Sequence, residues 1–247
     1  MITFAIYNLK GGVGKTASAV NLAYLAAQEG YKTLVWDTDP QGSSSFYFGV
    51  EAAVKNEAKK ILEGSVDLSA AAQPSEYENL SVIPSDLSAR NADIFLSELK
   101  QNKRKIISLL SSIKKNYDIV FIDCPPGISL LHENIFNAAD YVVMPNIPTT
   151  LSIRSFETVT SYFKENGLDK TKLKCFFSMV DHRKNLHHET MNEFYKDKFF
   201  FKNYIPYLSD VEKMGIHQQP LFEYANSSYA AQCYKDLWKE IKKTCIH

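Results

Sequence analysis

The sequence predicts an α/β protein: a doubly wound, mostly parallel sheet flanked by helices on both faces. Seven short apolar runs alternate with helix-like segments along the 247 residues. Most of these runs are continuously apolar, as expected for strands that are covered on both sides. Because strands alternate with helices, each helix can carry the chain back to start a parallel neighbour. The length suits one large domain, and we find no linker or internal repeat.

The strand runs are rich in β-branched and aromatic residues. They are Ile2–Tyr7, Thr33–Trp36, Leu80–Ile83, Ile119–Ile122, Tyr141–Met144, Cys175–Val180 and Phe201–Ile205. Helical segments are predicted at Ala17–Gln28, Leu87–Leu99, Arg104–Lys115, Ile153–Glu165 and Leu186–Lys196. Residues 50–79 are alanine-rich and polar, and we expect them to form a peripheral helical excursion.

A glycine-dense segment between the first strand and the first helix predicts a phosphate-binding loop. It reads Lys10-Gly11-Gly12-Val13-Gly14-Lys15-Thr16, and Ala17 begins the helical run. Glycines let phosphate oxygens approach backbone N–H groups, and the helix start adds donors and a favourable partial charge. We expect Lys15 to contact the β- and γ-phosphates and Thr16 to ligate Mg²⁺.

The loop departs from the usual phosphate-loop pattern in two ways. Leu9 stands where the pattern G-x-x-x-x-G-K-[ST] has its first glycine, and Lys10 adds a second lysine. Because Lys15 already serves the nucleotide of its own loop, Lys10 has no obvious role there.

Three aspartates follow predicted strands and suit a hydrolytic site. Asp37 and Asp39 are two residues apart, so both carboxylates would point to the same side of an extended chain. They are candidates for orienting the attacking water and for contacting Mg²⁺ through water. Asp123 ends the strand Ile119–Ile122, at the position where phosphate-loop ATPases hold the magnesium water shell.

The composition is that of a soluble globular protein, with 45% hydrophobic and 23% charged residues. The formal net charge is zero, so the chain lacks the overall basic character of many nucleic-acid binders. The four cysteines show no metal-ligand spacing, and no signal peptide or long apolar run is present. We therefore expect a cytoplasmic protein.

These motifs resemble the ParA/Soj/MinD group of ATPases, whose phosphate loop is the deviant Walker A form. Residues 10–16 match that form, residues 37–42 resemble the second motif of ParA/Soj proteins, and residues 122–126 resemble the third. Residues 139–145, 179–186, 205–206 and 220–224 are similar to later segments of the family. The resemblance covers the chain from residue 1 to about 240.

The resemblance implies a single deviant-Walker-A ATPase domain over residues 1–247 that dimerises with ATP and Mg²⁺. Lys10 would reach the nucleotide of the partner subunit and, with Lys15 and Asp39, would be catalytic. Asp181 would face the adenine base. The implied nucleotide contacts are Lys10, Gly11, Gly12, Val13, Gly14, Lys15, Thr16, Ala17, Asp37, Asp181 and Pro206, and the implied metal contacts are Thr16, Asp39 and Asp123.

The resemblance also implies partners. No arginine finger within the chain is evident, so turnover would be slow until a ParB-like or adaptor protein with a basic N-terminal segment stimulates it. ParA dimers bind DNA without sequence preference through contacts to phosphates, which would place the protein on the nucleoid. Arg183 matches one DNA-contact position, Asp210 falls on another, and Lys202 and Lys213 would compensate. The chain begins at its first strand, so no N-terminal helix-turn-helix extension is expected.

Two other functions remain open. A MinD-like membrane-positioning ATPase would need an amphipathic C-terminal helix, and Cys233–Ile246 has the required spacing of apolar and lysine residues. The same apolar residues would equally dock that helix on the sheet. A metabolic enzyme on this scaffold, either an iron–sulfur reductase or a ligase, would need a cysteine pair or a separate acid/base set, and Cys124 alone supplies neither.

Overall fold

The computed structural model describes residues 1–99 and 103–246, which contain one seven-stranded sheet. The strands are β1 (Ile2–Ile6), β2 (Thr33–Asp37), β3 (Gln73–Pro74), β4 (Leu80–Ile83), β5 (Ile119–Asp123), β6 (Tyr141–Asn146) and β7 (Leu173–Phe177). The first seven helices are α1 (Lys15–Gln28), α2 (Ser43–Tyr47), α3 (Glu57–Glu63), α4 (Leu68–Ala71), α5 (Ala92–Ser97), α6 (Lys105–Ile113) and α7 (Leu130–Ala138). The others are α8 (Thr150–Glu165), α9 (Asn185–Phe194), α10 (Ser209–Glu212), α11 (Met214–His217), α12 (Leu221–Ala225) and α13 (Tyr229–Cys245).

The strand order is β3-β4-β2-β5-β1-β6-β7, and all neighbours are parallel except the short edge strand β3. The chain leaves β1 toward β2 on one side and later crosses to β6 on the other side. In sheets of this kind, ligands bind at the carboxyl edge where the winding direction changes. That point is the end of β1, from which the phosphate loop departs. The predicted mostly parallel, doubly wound sheet is confirmed.

Helices cover both faces of the sheet, and successive strand residues alternate between two apolar cores. Phe4 and Ile6 face a core built with α1, α12 and α13. Ala5 and Tyr7 face the opposite core, which includes residues of α3 to α9. Both cores close over the central strands, as in a three-layer α/β domain.

Helix α13 lies in the first of these cores. Leu237, Trp238 and Ile241 are each no more than 1% exposed, so the apolar face of the C-terminal helix docks on the sheet. Within residues 1–99 and 103–246, no helix has the length and hydrophobicity that crossing a membrane would require.

The last predicted strand, Phe201–Ile205, is not a regular strand. The chain runs beside β7 without a continuous ladder. Isolated bridges join Cys175 to Phe200 and Val180 to Pro206, and the Phe201 and Ile205 N–H groups donate to the Cys175 and Phe177 carbonyls, at 2.7 and 2.8 Å. The backbone N–H groups of Lys202 and Asn203 instead donate to the Glu240 carboxylate of α13, at 2.9 Å each. Glu240 thus takes two backbone donors that lie between the two points where the segment bonds to β7.

Two other regions differ in detail from their predicted forms. The helix predicted at Leu87–Leu99 is divided into a 3₁₀ turn, Leu87–Asn91, and α5. The excursion at residues 50–79 contains α3 and α4, as predicted, and also the edge strand β3.

Candidate functional site

The phosphate loop lies between β1 and α1, with its glycines in conformations that suit ligand binding. Gly12 and Gly14 have φ angles of +71° and +89°, which favour glycine. Apart from the adjacent residues in the chain, no atom lies within 4 Å of where a Cβ would stand on Gly11, Gly12 or Gly14. The loop therefore leaves room for phosphate oxygens to reach its backbone N–H groups.

Buried hydrogen bonds hold this loop against the neighbouring strands. The Asn8 side chain donates to the Pro145 carbonyl at 2.8 Å and to Asn146 Oδ1 at 3.1 Å, and its Oδ1 accepts from the Lys10 N–H at 2.9 Å. On the far side, Ser178 Oγ donates to the Val13 carbonyl at 2.8 Å. The sequence-based search missed these anchors, although a polar Asn8 directly after an apolar strand could have marked one.

The two lysines of the loop occupy different environments. Lys15 is 7% exposed, and its ammonium donates to the Lys10 carbonyl at 2.8 Å. Burial lowers the pKa of Lys15, whereas the nearby Asp123, Cys124 and Asp39 act to raise it. The Lys10 side chain is partly exposed. Lys15 thus lies inside its own loop, and Lys10 lies at the rim.

Asp123, at the tip of β5, fits a cation site. It is 1% exposed, and neither carboxylate oxygen has a partner within ordinary hydrogen-bond geometry. Burial, followed by the charges of Asp37 and Asp39, raises its pKa well above the usual range, while the nearby Thr16 hydroxyl and Lys15 oppose that rise. A buried carboxylate with so few partners needs a positive charge beside it. A Mg²⁺ ion held by Thr16 and Asp123 would supply that charge.

Asp37 hydrogen-bonds to the protein through both of its carboxylate oxygens. It pairs in register with Asp123 across β2 and β5. Its Oδ2 accepts from the N–H and Oγ of Ser45, at 2.9 and 2.7 Å, and its Oδ1 accepts from the Asp39 N–H at 3.1 Å. Burial raises the pKa of Asp37, and these hydrogen bonds partly offset the rise. Asp37 therefore fixes α2 and the backbone that carries Asp39.

Asp39 is partly exposed beside the phosphate loop. One of its oxygens, Oδ1, accepts from the Gln41 N–H at 3.0 Å. Its charge acts on Lys15, Asp123 and Cys124, so the side chain lies within electrostatic reach of the loop lysine and the buried aspartate. Lys15, Asp39 and Asp123 therefore lie close enough to influence one another's charge.

The loop after Asp123 is clamped by residues that the sequence did not single out. The Tyr7 hydroxyl donates to the Gly127 carbonyl at 2.8 Å, and the Gly127 N–H donates to the Leu9 carbonyl at 3.1 Å. His132 is 2% exposed and contacts the Pro125 carbonyl through Nε2 at 3.0 Å and Ser129 Oγ through Nδ1 at 2.9 Å. Burial lowers the pKa of His132. These bonds connect the loop both to β1 and to α7.

The predicted adenine contacts lie together beyond the end of β7. Val180 forms a bridge with Pro206, and Asp181 follows directly. The Arg183 guanidinium donates to both carboxylate oxygens of Asp181, at 2.9 Å each, and this pair lowers the pKa of Asp181. The residue expected at adenine and the residue expected at DNA are therefore ion-paired to each other.

The other predicted DNA contacts also have protein partners. Lys202 lies 5.3 Å from the Tyr195 ring centroid, and its segment meets that of Arg183 through a 3.3 Å contact between Tyr204 and His182. Lys213 lies elsewhere, next to α10, where its ammonium is 3.6 Å from Asp210 Oδ1.

Cys124 is fully buried, and burial raises the pKa of its thiol. All four cysteines are buried free thiols. None is placed to form the exposed, partner-facing pair that an iron–sulfur reductase would need.

Comparison with known proteins places the chain among ATPases. A family model described as an AAA domain matches residues 1–174. The sporulation initiation inhibitor protein Soj of Bacillus subtilis is 33% identical over 245 residues, which cover 96% of each chain. The chromosome-partitioning ATPase Soj of Treponema pallidum is 30% identical and covers 97% of this chain and 96% of its own.

Solved structures share the whole fold at lower identity. A putative plasmid partition protein of Borrelia burgdorferi bound to AMPPNP has a TM-score of 0.87 at 20% identity, covering 98% of this chain and 99% of its own. The septum site-determining protein MinD of Pyrococcus horikoshii with Mg-ADP has a TM-score of 0.81 at 22% identity, covering 99% and 97%. Cobyrinic acid a,c-diamide synthase of Mycobacterium smegmatis with ADP and magnesium reaches 0.82 at 20% identity, covering 100% and 97%.

The predicted cofactors, ATP and Mg²⁺, agree with the nucleotides and magnesium in these structures. Residues 10–16 and the buried Asp123 fit the same ligands, and the two Soj proteins align with nearly the whole chain at 33% and 30% identity. The chain belongs to the ParA/Soj family of ATPases.

Proposed function

We propose that this ATPase is a dimerising switch. Two copies dock face to face with ATP and Mg²⁺, and hydrolysis then releases them. The observation that carries this proposal is the difference in position between the two loop lysines. Lys15 is buried within its own loop, whereas Lys10 is at the rim, where a second copy can be reached.

Exposed apolar side chains support docking on the same edge. Leu87 is 69% exposed and lies just after β4, and Leu151 is 64% exposed in the first turn of α8, after β6. Both therefore follow strands at the carboxyl edge, which is also the edge of the phosphate loop. Large exposed leucines around a polar site are typical of an interface.

The chain's own residues have separate roles in hydrolysis. Lys15 neutralises charge on the β- and γ-phosphates, and Asp39 orients the attacking water and accepts its proton. Asp123 holds Mg²⁺ through water, and Thr16 binds it through its hydroxyl. Bound Mg²⁺ would offset the negative charge that develops on the phosphates. None of the four arginines lies in segments 8–16, 37–42 or 123–129, so we propose that Lys10 of a second copy completes the site.

A mixing experiment tests this shared site. Lys10→Ala and Lys15→Ala proteins are assayed for ATP hydrolysis separately and as an equimolar mixture. In a mixed dimer, the Lys10→Ala subunit keeps its own Lys15 and receives Lys10 from its partner, so one site is complete. We expect the mixture to hydrolyse ATP faster than either variant alone. A mixture that is no faster than the mean of the two variants argues against a shared site.

We further propose that the ATP dimer binds DNA without sequence preference and is associated with the nucleoid. Arg183, which is 84% exposed in its side chain, and the exposed Lys202 lie in segments that touch through Tyr204 and His182. DNA retention measured with ATP over a range of salt concentrations tests the proposal, because phosphate contacts weaken as salt rises. No ATP-dependent retention at low salt would contradict it.

The cellular role that we propose is segregation or positioning of DNA or of another cargo. A ParB-like or adaptor protein with a basic N-terminal segment would stimulate hydrolysis. Measurement of ATPase rate and dimerisation with and without DNA, for the wild type, Lys15→Ala and Asp39→Ala, separates the nucleotide-dependent and DNA-dependent steps. Dimerisation that does not respond to ATP would remove the basis for the switch.

A further inference from the structure

Ser45 joins two loops that follow neighbouring strands at the carboxyl edge of the sheet. It lies in α2 and is 4% exposed. On one side it bonds to Asp37, the last residue of β2, and on the other to Ser85, two residues after β4. Strands β2 and β4 are parallel neighbours, so their carboxyl ends lie side by side. Neither serine has a part in the hydrolytic roles proposed above.

The Ser45 hydroxyl makes two hydrogen bonds whose directions are fixed by their partners. Its Oγ accepts from the Ser85 N–H at 3.1 Å, because a backbone N–H can only donate. Its proton points to Asp37 Oδ2, 2.7 Å away, because an ionised carboxylate can only accept. The same Oδ2 also accepts from the Ser45 N–H at 2.9 Å. Two bonds from one residue to a charged oxygen hold the plane of the Asp37 carboxylate.

The other oxygen of that carboxylate holds the backbone of Asp39. Asp37 Oδ1 accepts from the Asp39 N–H at 3.1 Å, so the orientation of one planar group determines where both of its bonding partners lie. Asp37 is 2% exposed, and water cannot easily replace a donor that it loses. Without the Ser45 hydroxyl, the carboxylate would turn toward its remaining donors and the Asp39 backbone would move with it.

Ser45 is itself held from its far side. The Ser85 N–H that it accepts belongs to the loop after β4. Asp86, the next residue, accepts from the Glu57 N–H at 2.7 Å and from the Ser88 N–H at 2.8 Å. These bonds fasten the loop to the start of α3 and to the 3₁₀ turn that follows it. The hydroxyl of Ser45 therefore takes its position from a well-supported backbone.

We propose that Ser45 is a positioning residue for ATP hydrolysis, because its hydroxyl holds the Asp37 carboxylate in the orientation that places Asp39. Ser45 acts only through Asp39 and does not touch the nucleotide. A small displacement is enough to matter, since a group that orients a reactant loses much of its effect when it moves by about 1 Å. The inference rests on the proposed role of Asp39 in orienting the attacking water.

The test measures ATP hydrolysis over a range of ATP concentrations for the wild type, Ser45→Ala and Ser45→Thr. Alanine removes the hydroxyl, whereas threonine keeps it. We expect Ser45→Ala to lower kcat by about tenfold with little change in KM, because the phosphate loop is untouched. Ser45→Thr should restore most of kcat. A wild-type kcat in Ser45→Ala, or an equal loss in both variants, would overturn the proposal.

Ser75→Ala is the matched control for the loss of a serine hydroxyl that both donates and accepts. Ser75 Oγ donates to the Leu80 carbonyl at 2.8 Å and accepts from the Tyr77 N–H at 3.2 Å. Because Leu80 begins β4, these bonds lie at the opposite edge of the sheet from the phosphate loop. We expect Ser75→Ala to lower the urea midpoint of unfolding but to keep kcat. An equal fall of kcat in Ser45→Ala and Ser75→Ala would mean that Ser45 contributes stability alone, against the proposal.

A double variant distinguishes this inference from the proposed role of Asp39. If Ser45 acts through Asp39, Ser45→Ala should lower kcat no further in an Asp39→Ala background. The same further loss in both backgrounds would show that Ser45 acts independently of Asp39, and the inference would fail. A wild-type rate in Asp39→Ala alone would instead remove the proposed role of Asp39, together with the basis of this inference. Slow hydrolysis in Asp39→Ala with normal hydrolysis in Ser45→Ala would remove the inference and leave the role of Asp39 in place.

Discussion

At the residue scale, the two aspartates at the carboxyl end of β2, Asp37 and Asp39, have different partners. Asp37 uses both carboxylate oxygens to hold Ser45 and the Asp39 backbone, whereas Asp39 is partly exposed toward the loop. The alternation of an extended chain predicted one shared side for both. It could not predict that Ser45, eight residues later, would hydrogen-bond to the carboxylate of Asp37.

We expect Asp39→Ala to reduce the rate of ATP hydrolysis by about 10²–10⁴-fold, the range typical for loss of a residue that positions and deprotonates water. Nucleotide binding should persist, because Lys15 and the backbone N–H groups remain. Single-turnover hydrolysis and an ATP-binding titration check the two parts. An unchanged hydrolysis rate would exclude Asp39 from the role given to it.

The raised pKa of Asp123 predicts a pH dependence of stability in the absence of Mg²⁺. A carboxyl whose pKa is higher in the folded state binds more protons there, so the unfolding free energy falls as pH rises above its ordinary range near 3.8. We expect Asp123→Asn to reduce this fall in EDTA, to unfold at a higher temperature at neutral pH, and to lose Mg²⁺-dependent hydrolysis. Melting curves across pH provide the measurement. If Asp123→Asn is less stable than the wild type in EDTA at neutral pH, the buried carboxylate does not destabilise the folded state under those conditions.

At the scale of elements, most strands and helices could be predicted from the sequence. Their boundaries depend on contacts with residues that are far away in the chain. The apolar runs before Asp37 and Asp123 form strands, as predicted. Strands that are covered on both faces have continuously apolar sequences, which makes them easy to identify. The segment 201–205 carries a similar signal, but between its bonds to β7 the Lys202 N–H donates to Glu240, which lies 38 positions later. No local pattern reports such a partner. For the same reason, the buried anchors Asn146 and Ser178 were not found.

A buried histidine, His132, provides two of the hydrogen bonds that hold the loop after β5. We expect His132→Phe, which keeps an aromatic ring against Tyr7 and Phe136 but loses both hydrogen bonds, to lower the unfolding free energy by about 1–3 kcal/mol. Ser129→Ala, which removes one of the two bonds, should cost less. Urea unfolding of both variants provides the comparison. A smaller loss in His132→Phe than in Ser129→Ala would contradict the clamp.

Helix α13 allows a direct test of the membrane alternative. Its Leu237, Trp238 and Ile241 are in the core, so inserting them into a bilayer would require undocking the helix. We expect no ATP-dependent sedimentation with liposomes that contain anionic lipids. Sedimentation that requires ATP would instead favour a MinD-like role.

At the scale of the whole molecule, charge is balanced both overall and near the proposed DNA contacts. Asp181 pairs with Arg183, and Asp210 pairs with Lys213, so two of the three candidate cations already face a carboxylate. The sequence showed Asp210 at a position where a basic residue was expected. The pairing of Asp181 with Arg183 needed the structure, because its two residues were assigned to different ligands.

We expect Asp210→Asn to strengthen DNA retention, since Lys213 would lose its carboxylate partner. The slope of log affinity against log salt should become steeper by about one if Lys213 then contacts a phosphate. A filter-binding titration with ATP at several salt concentrations measures this slope. Lys213→Ala in the same background is the control and should cancel the gain. An unchanged slope in Asp210→Asn would remove Lys213 from the interface.

The hydrogen bonds from Asn8 and Ser178 have a kinetic consequence. They hold the phosphate loop in place through contacts within the protein itself, with Gly12 and Gly14 in left-handed conformations. A nucleotide then meets a site that needs little ordering, so its association rate should be limited by diffusion rather than by loop closure. In the proposed cycle, the slow steps would then follow nucleotide binding: the encounter of two subunits, which depends on protein concentration, and hydrolysis, which a partner protein would accelerate.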